Sequence, residues 1–331
     1  MKPMLAQKYD PHKVKFPALI SPKLDGIRCL VEFGAGGVKL WSRDAKPILS
    51  VDHIISQLQD LRRTLDLPDG LWLDGELFTQ ELSFQVLNGT CRRQYTDERA
   101  KPVTLFLFDV AKHPEGRERD SFASRYTWLS GLGVQQNQPY DIRSTFGLPR
   151  APGTHYNEWD NTYLSENVVI LQHVRVIKDH QVQTIERLFV EHGLEGAMVR
   201  TDVFDKKAKA WRTCGYETEE SGHSRRCWGL QKVKTFSDEE FVIQGVYEER
   251  DLSGRPKGRA AGFVMQNNDG KGGTFQCSGL TDEMKAEVWE NPNGYVGEKA
   301  TVKFFGRSDD GTPRHPNFKA LRPAGQMDAA D

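Results

Sequence analysis

Apolar residues in this chain come in short runs broken by polar or glycine-rich turns, the texture of a sheet-rich fold with a few amphipathic helices. Phe16 to Ile20 is apolar and leads into Ser21-Pro22-Lys23-Leu24-Asp25-Gly26; Ile27 to Phe33 then alternates. These two segments predict a β-hairpin with Lys23 near its end. Gly34-Ala35-Gly36-Gly37 turns into another strand, Val38 to Arg43. The cluster lacks the G-x-G-x-x-G order of a phosphate loop and is read as a plain turn. Ser50 is expected to cap a helix whose Ile54, Leu58, Leu61 and Leu65 fall on one face.

Leu71 to Phe78 and Val103 to Val110 read as buried strands, yet acids interrupt them: Asp74 and Glu76 in the first, Asp109 in the second. Buried strands seldom carry carboxylates without partners. A polar stretch from Lys112 to Tyr163 shows no clear period. A helix follows from Gln181 to His192, presenting Ile185, Leu188 and Phe189, with Gly193 as its stop, and then a strand from Glu195 to Arg200. After Lys234 the texture changes. Ser237 to Glu240 reads as a linker, followed by strands at 241–247, 261–266 and 274–278, a helix at 282–289, and strands at 300–305 and 317–321. Three strands, a helix and two strands is the order of an OB-type barrel. The expected division is residues 1–236 and 237–331, the latter with a frayed tail from Ala324; no internal repeat is evident.

Composition adds limits rather than function. The chain has 331 residues, 37% hydrophobic and 27% charged, an ordinary globular balance. No apolar run approaches the roughly 20 residues of a membrane span, and the first residues lack a leader-like stretch, so an intracellular, cytoplasmic protein is expected. The formal net charge of -1 means that any nucleic-acid binding must come from local patches. The five cysteines are scattered without a C-x-x-C pair, so reduced thiols are expected and a cysteine zinc site is not. His173 and His180 read as surface or core histidines.

The polar insertions into apolar strands are Lys23, Asp74 with Glu76, Asp109, Glu195, and Lys232 with Lys234. Residues two apart on a strand share a face, so Asp74 and Glu76 point together, as do Lys232 and Lys234. Two lysines on one face near carboxylates suit a phosphate with a divalent metal, and hard oxygen ligands favour Mg²⁺.

Lys23 to Arg28 (K-x-D-G-x-R) is similar to motif I of the covalent nucleotidyltransferases. Asp74-Gly75-Glu76 is similar to motif III, Phe106 to Val110 to motif IIIa, Glu195 to Arg200 (E-G-x-M-x-R) to motif IV, and Lys232-Val233-Lys234 to motif V. Arg314-His315-Pro316-Asn317-Phe318 resembles the R-H-P-x-F form of phage and small viral DNA ligases. These motifs occur in the family's order over nearly the whole chain, which therefore resembles an ATP-dependent DNA ligase of the minimal two-domain type.

The resemblance implies an α+β fold: an adenylation domain of antiparallel sheets flanked by helices, then an OB-fold DNA-binding domain. It implies ATP as AMP donor, Mg²⁺ (with Mn²⁺ able to substitute), a lysyl-AMP at Lys23, and nicked duplex DNA as the partner of a monomer in a bacterial or phage-infected cell. A nucleophilic lysine must be neutral, which Arg28, Lys232 and Lys234 would favour as neighbouring cations. By resemblance Lys232 and Lys234 contact the α-phosphate, and Glu195, Asp74 and Asp25 are the metal-associated acids, Asp25 near the nick hydroxyl. Ser21, Arg28 and Glu76 belong to the nucleotide site; Phe108 stacks on adenine, serves as a core aromatic, or does both. Arg314 orients pyrophosphate. Ser42 and Arg43 match the grip on the nick 5′-phosphate. Arg92 and Arg93, Arg225 and Arg226, and Arg255, Lys257 and Arg259 in a loop between the first two barrel strands are further DNA-contact candidates.

Departures from the pattern bear on the reading. Motif I comes early, which leaves no expected room for an N-terminal DNA-binding domain, and the loop from Glu248 to Arg259 is short for a latch around DNA. A segment from Asp205 to Gly222 has no counterpart. An RNA ligase or capping enzyme shares the lysine chemistry, although Leu24, Arg28 and Arg314-His315-Pro316 favour DNA ligase. A non-catalytic nucleic-acid-binding protein is disfavoured by the complete set of Lys23, Glu76, Glu195, Lys232 and Lys234.

Overall fold

The computed structural model describes residues 1–135, 142–143, 146, 148, 161–205, 210–212, 216 and 226–322, apart from 235, 252, 269, 271 and 309. The chain divides into two compact units, Met1–Lys234 and Thr235–Asp331.

The first unit begins with β1 (Leu5–Lys8), β2 (Ala18–Lys23), β3 (Ile27–Gly34), β4 (Gly37–Ser42) and α1 (Asp52–Thr64), then β5 (Leu71–Phe78), α2 (Phe84–Cys91), β6 (Thr104–Lys112) and α3 (Phe122–Gln135). The short strands β7 (Ile142–Arg143), β8 (Asn161–Ser165), β9 (Val168–Ile170) and β10 (Val174–Val176) precede α4 (Asp179–Glu191). It continues with β11 (Gly196–Arg200), a small β12–β13 ribbon (Val203–Asp205, Ala210–Arg212) and β14 (Arg226–Val233). Among the described residues these strands form a seven-stranded sheet in the order β4-β3-β5-β6-β9-β8-β7 and a five-stranded sheet in the order β1-β14-β11-β2-β10.

The expected hairpin around Lys23 is therefore not formed. β2 lies between β11 and β10 in the five-stranded sheet, while β3 pairs with β4 and β5 in the other. The chain crosses between sheets through Leu24-Asp25-Gly26. An acid-glycine pair between alternating strands reads locally as a hairpin turn, but here the glycine serves close approach: a Cβ on Gly26 would lie 2.4 Å from the Leu77 carbonyl oxygen of β5.

Two of this unit's apolar cores pack its longer helices against the sheets. One packs α1 through Ile54, Leu58 and Leu61 against β3, β5 and β6, with Phe33, Leu73 and Leu107 buried among them. The other packs α4 through Val182 and Phe189 against Ile20, Ala197 and Val199. Gly193 ends α4 at φ 79°, the left-handed stop expected of it. Ser50 does not cap α1: Val51 takes the cap position without a side-chain bond, and the Ser50 hydroxyl is buried without a partner among the described residues. Cys29, Cys91 and Cys277 are buried free thiols, but Cys227 is disulfide-bonded. Linear spacing, on which the all-thiol expectation rested, carries no information about neighbours through space.

The second unit contains β15 (Ser237–Arg250), β16 (Pro256–Gln266), β17 (Thr274–Cys277), α5 (Asp282–Glu290), β18 (Lys299–Phe304) and β19 (Asn317–Arg322). Strand order is β17-β16-β15-β18-β19, with Phe241, Ile243, Phe263, Met265 and Val302 in the core. The expected linker at 237–240 is instead the start of β15, whose first half pairs with β18 and second half with β16. Acidic residues masked a strand that is exposed at that end. The loop placed at 248–259 likewise shrinks, because β15 runs to Arg250 and β16 starts at Pro256. Arg255 lies in the turn, while Lys257 and Arg259 are on β16, both ion-paired to Glu249.

Gly26→Ala is expected to destabilise the first unit by roughly 2 kcal/mol or more, since the added methyl meets the Leu77 backbone first and the Glu76 side chain next. A urea unfolding curve checks this; an unchanged midpoint would mean the crossing has room the structure does not show.

Candidate nucleotide-binding active site

A cleft of about 300 Å³ opens in the first unit where the two sheets diverge. Lys23 reaches it from the end of β2, Lys232 and Lys234 from β14 and the residue after it, and Arg28 and Glu76 from β3 and β5. Antiparallel pairing sets this convergence: Gly196 lies opposite Lys23, and Met198 opposite both Ser21 and Lys232. The Glu195 amide extends the ladder by donating to the Lys23 carbonyl at 3.0 Å. Glu195 is thereby brought between two ammonium groups, and its carboxylate accepts hydrogen bonds from Lys23 Nζ and Lys234 Nζ. Lys232, third of the lysines, has its pKa lowered by burial and by the Arg226 and Arg43 guanidiniums.

Beneath the cleft lies a buried charge network. Arg28 reaches diagonally across β3 and β5 to grip Asp74 with Nε and Nη2. Asp109 on β6 receives a bidentate pair from Arg125 of α3 at 2.8 and 2.9 Å and a third bond from Arg200 of β11 at 3.1 Å. Burial pushes the Asp109 pKa up, yet these guanidiniums hold it below its ordinary value. The Tyr216 hydroxyl lies 2.6 Å from Asp74 Oδ2 and 2.8 Å from Asp109 Oδ2. A phenol has one proton, so it donates to one carboxylate at a time while Arg28 and Arg200 neutralise the other.

Most of the expected nucleotide-site residues meet here. Ser21, Arg28, Glu76, Phe108, Lys232 and Lys234 line the cleft with Lys23, and Arg43 and Arg226 join them. Phe108 is both core and cleft wall, with Arg28 and Arg200 over its ring at 4.8 and 5.6 Å. Asp74 does not line the cleft; with no exposed surface, it is bound to Arg28 and Tyr216 because its strand neighbours need a counter-charge. Asp25 sits on the crossing, where its charge adds to the field on Glu76. Ser42 Oγ accepts from the Lys46 amide at 3.1 Å, next to Arg43. Arg92 and Arg93 lie at the end of α2 away from the cleft lining, Arg93 paired with Asp97. Arg225 and most of the 205–222 segment fall outside the described residues. In the second unit, the Arg314 amide donates to the Gly306 carbonyl at 3.0 Å and its guanidinium lies 6.0 Å from the Phe305 ring.

Two residues at or beneath the cleft escaped the sequence reading. Tyr216 comes from a segment without a recognised counterpart, and nothing in its neighbourhood signals burial. His173, read as a bland histidine, is buried and lines the cleft. Its only signal was position, two residues after the apolar run Val168 to Leu171.

Glu76 yields a pH-dependent expectation. Burial first, then the Asp74 and Asp25 charges, raise its pKa from 4.5 to about 8, with Arg28 opposing. The folded state then holds the proton more tightly than the unfolded chain, so stability falls as pH rises from 4.5 towards 8. Glu76→Gln should remove that loss, gaining roughly 1–3 kcal/mol relative to the parent between the two limits, after allowance for solvent at the half-buried carboxyl. Unfolding curves at pH 5 and pH 8.5 check it; parallel pH dependence in both proteins would contradict it.

Residues 3–143 match the family model of the ATP dependent DNA ligase domain, and residues 253–322 that of the DNA ligase OB-like domain. The DNA ligase of Enterobacteria phage T6 is 24% identical over 92% of this chain and 65% of its own length. A DNA ligase of African swine fever virus is 22% identical over 75% of this chain and 47% of its own. The chain thus spans about two thirds of the length of the phage relatives it matches. Among solved structures, one titled as a structure-function analysis of Lig E DNA ligases superposes with a TM-score of 0.63 at 19% identity, covering 97% of this chain and 99% of that one. Another, titled "Pmar-Lig_Pre.", gives 0.70 at 21% identity, covering 96% and 66%. At these identities the structural likeness is one of fold. With a ligase nucleotidyltransferase domain and a ligase OB-like domain in that order, the chain belongs to the ATP-dependent DNA ligase family.

Proposed function

We propose that this protein seals 3′-OH/5′-phosphate nicks in duplex DNA with ATP, through a lysyl-AMP at Lys23 and an adenylated DNA 5′ end. The observation that carries the reading is the Lys23 amine at the end of β2, in a cleft walled by Lys232, Lys234, Arg43 and Arg226. A cationic cleft suits a polyphosphate, and a lysine at its floor suits attack on phosphorus.

In the first step the neutral Lys23 amine attacks the α-phosphorus. The new N–P bond replaces the P–O bond to pyrophosphate, which leaves. Lys232 and Lys234 take the charge that gathers on the α-phosphoryl oxygens, and Arg28 and Glu76 hold the ribose, with Phe108 against the base. The amine has to lose its proton first, and the surrounding cations favour its neutral form against the pull of Glu195. Arg314 orients pyrophosphate. AMP then passes to the 5′-phosphate of a nick gripped by Ser42 and Arg43, and the 3′-OH displaces it.

Among the described residues no group of three or more acidic, histidine or cysteine side chains is arranged to hold a metal. Mg²⁺ keeps water and phosphate oxygens and takes only one or two protein carboxylates, so the residues present fit it. Glu195 and Asp25 would hold it, with Mn²⁺ able to substitute. When bound it would neutralise phosphate charge.

We take residues 1–236 as the adenylation domain and 237–331 as the OB domain of a monomer acting in the cytoplasm. No helix among the described residues is long and apolar enough to cross a membrane. Arg226 supplements the grip on DNA from the cleft edge, whereas Arg92, Arg255, Lys257 and Arg259 contact the duplex elsewhere.

Incubation with Mg²⁺ and α-labelled ATP should label the protein covalently, and Lys23→Ala should abolish the label, a loss of at least about a thousandfold for removal of a nucleophile. Persistent labelling of the variant would place the nucleophile elsewhere. Sealing only of RNA nicks by the labelled enzyme would favour an RNA ligase.

A further inference from the structure

His173 stands just before β10, whose Val174 lies opposite Ile20 of β2, and it lines the cleft together with Lys23. On β11, Gly196 lies opposite Lys23 and Arg200 opposite Leu19, so about 13 Å of strand separates Gly196 from Arg200 at about 3.3 Å per residue. At the far end Arg200 lies over the rings of Phe108 and Phe122, and Phe122 packs on His173 at 5.1 Å. Lys23, Phe108 and His173 line one cleft, which suits a nucleoside monophosphate with its phosphate at Lys23 and its base reaching Phe108 and His173.

The imidazole is built into place. His173 is 5% exposed, its backbone amide donates to Tyr126 Oη at 3.1 Å, and its ring lies 4.6 Å from that of Tyr126. Nδ1 is 3.0 Å from the Leu171 carbonyl oxygen, which can only accept, so Nδ1 carries the proton and Nε2 a lone pair. The Leu171 amide in turn donates to the Leu107 carbonyl of β6 at 2.8 Å, tying this short loop to the sheet. Burial and the Arg200 guanidinium lower the imidazolium pKa to about 3, so the ring is neutral. Nε2 has no hydrogen-bond partner among the described residues, and the residue lines the cleft.

We propose that His173 is a specificity-determining residue for the nucleotide base, its Nε2 accepting a hydrogen bond from the exocyclic amine of adenine. The inference rests on the reading of the cleft as an ATP site. Adenine offers an N–H donor at that edge. Guanine offers a carbonyl oxygen, which would set two acceptors against each other in a buried place, and a purine without the amine would leave Nε2 unpaired.

The test is covalent self-labelling by the full chain with Mg²⁺, comparing ATP with purine riboside triphosphate, which lacks only the amine. The parent should prefer ATP by about 10- to 100-fold in kcat/KM, the effect of an unmade hydrogen bond to a buried group. His173→Leu should bring the ratio close to one through loss on ATP, and His173→Gln, whose amide oxygen can accept, should restore a preference. Equal use of the two nucleotides by the parent would overturn the proposal, as would His173→Leu variants that slow both equally. Failure of the parent to label with ATP at all would instead overturn the ATP reading beneath it.

Discussion

Between Lys23 and Arg28 the backbone must leave one sheet and enter another within a few residues, and the crossing succeeds because Gly26 presses against the Leu77 carbonyl with no side chain between. The amine stays on the five-stranded sheet beside β11, while the guanidinium goes to the seven-stranded sheet opposite Glu76. A hairpin would have put both on one surface. The crossing instead puts them on two walls, and the cleft is the gap between those walls. Gly75 repeats the device one strand over, where a Cβ would lie 2.7 Å from the Phe106 carbonyl oxygen, so β5 can lie close to β6 beside the site.

Under the walls, two carboxylates serve three guanidiniums. Asp74 and Asp109 between them bind Arg28, Arg125 and Arg200, so these guanidiniums are held in fixed places just below the cleft. Removing any one carboxylate would leave buried cations unpaired, which costs far more than an exposed pair would return. Because Arg200 is on β11 and Asp109 on β6, the same bonds hold the two sheets in register with each other. Preorganised donors of this kind favour anionic ligands without rearrangement during the reaction. The Arg200 Nε is a fully buried donor of this set without a partner among the described residues.

The second unit solves a different problem with the same chemistry. β15 changes partners along its length, β18 first and β16 after, with register shifts around Gly245 that bend it through the change. Its exposed end is charged: Glu249 gathers Lys257, Arg259 and Lys285. Those cations are engaged with a surface acid, so any contact with a polyanion has to exchange one partner for another, which tunes rather than maximises the grip.

Strand and helix positions were readable along the chain because their periods are local: the face of α1, the stop at Gly193, the alternation of β3 and the strand-helix-strand order of the barrel all follow from residues within a few positions of each other. The chemistry was readable as well, since a lysine before an acid-glycine pair, acids within apolar strands and paired lysines are improbable as mere core. Local pattern could not assign partners. It made a hairpin of a sheet crossing and a linker of an acidic strand end, because each depends on what lies opposite in space. It also passed over Tyr216 and His173, whose roles come from neighbours 100 or more and about 50 residues away, Asp74, Asp109 and Tyr126. Sequence alone determined which side chains this protein has to work with and on which strands they stand; tertiary structure decided which of them face the cleft and which are used to hold it open, because burial and pairing of charge are properties of the packed state.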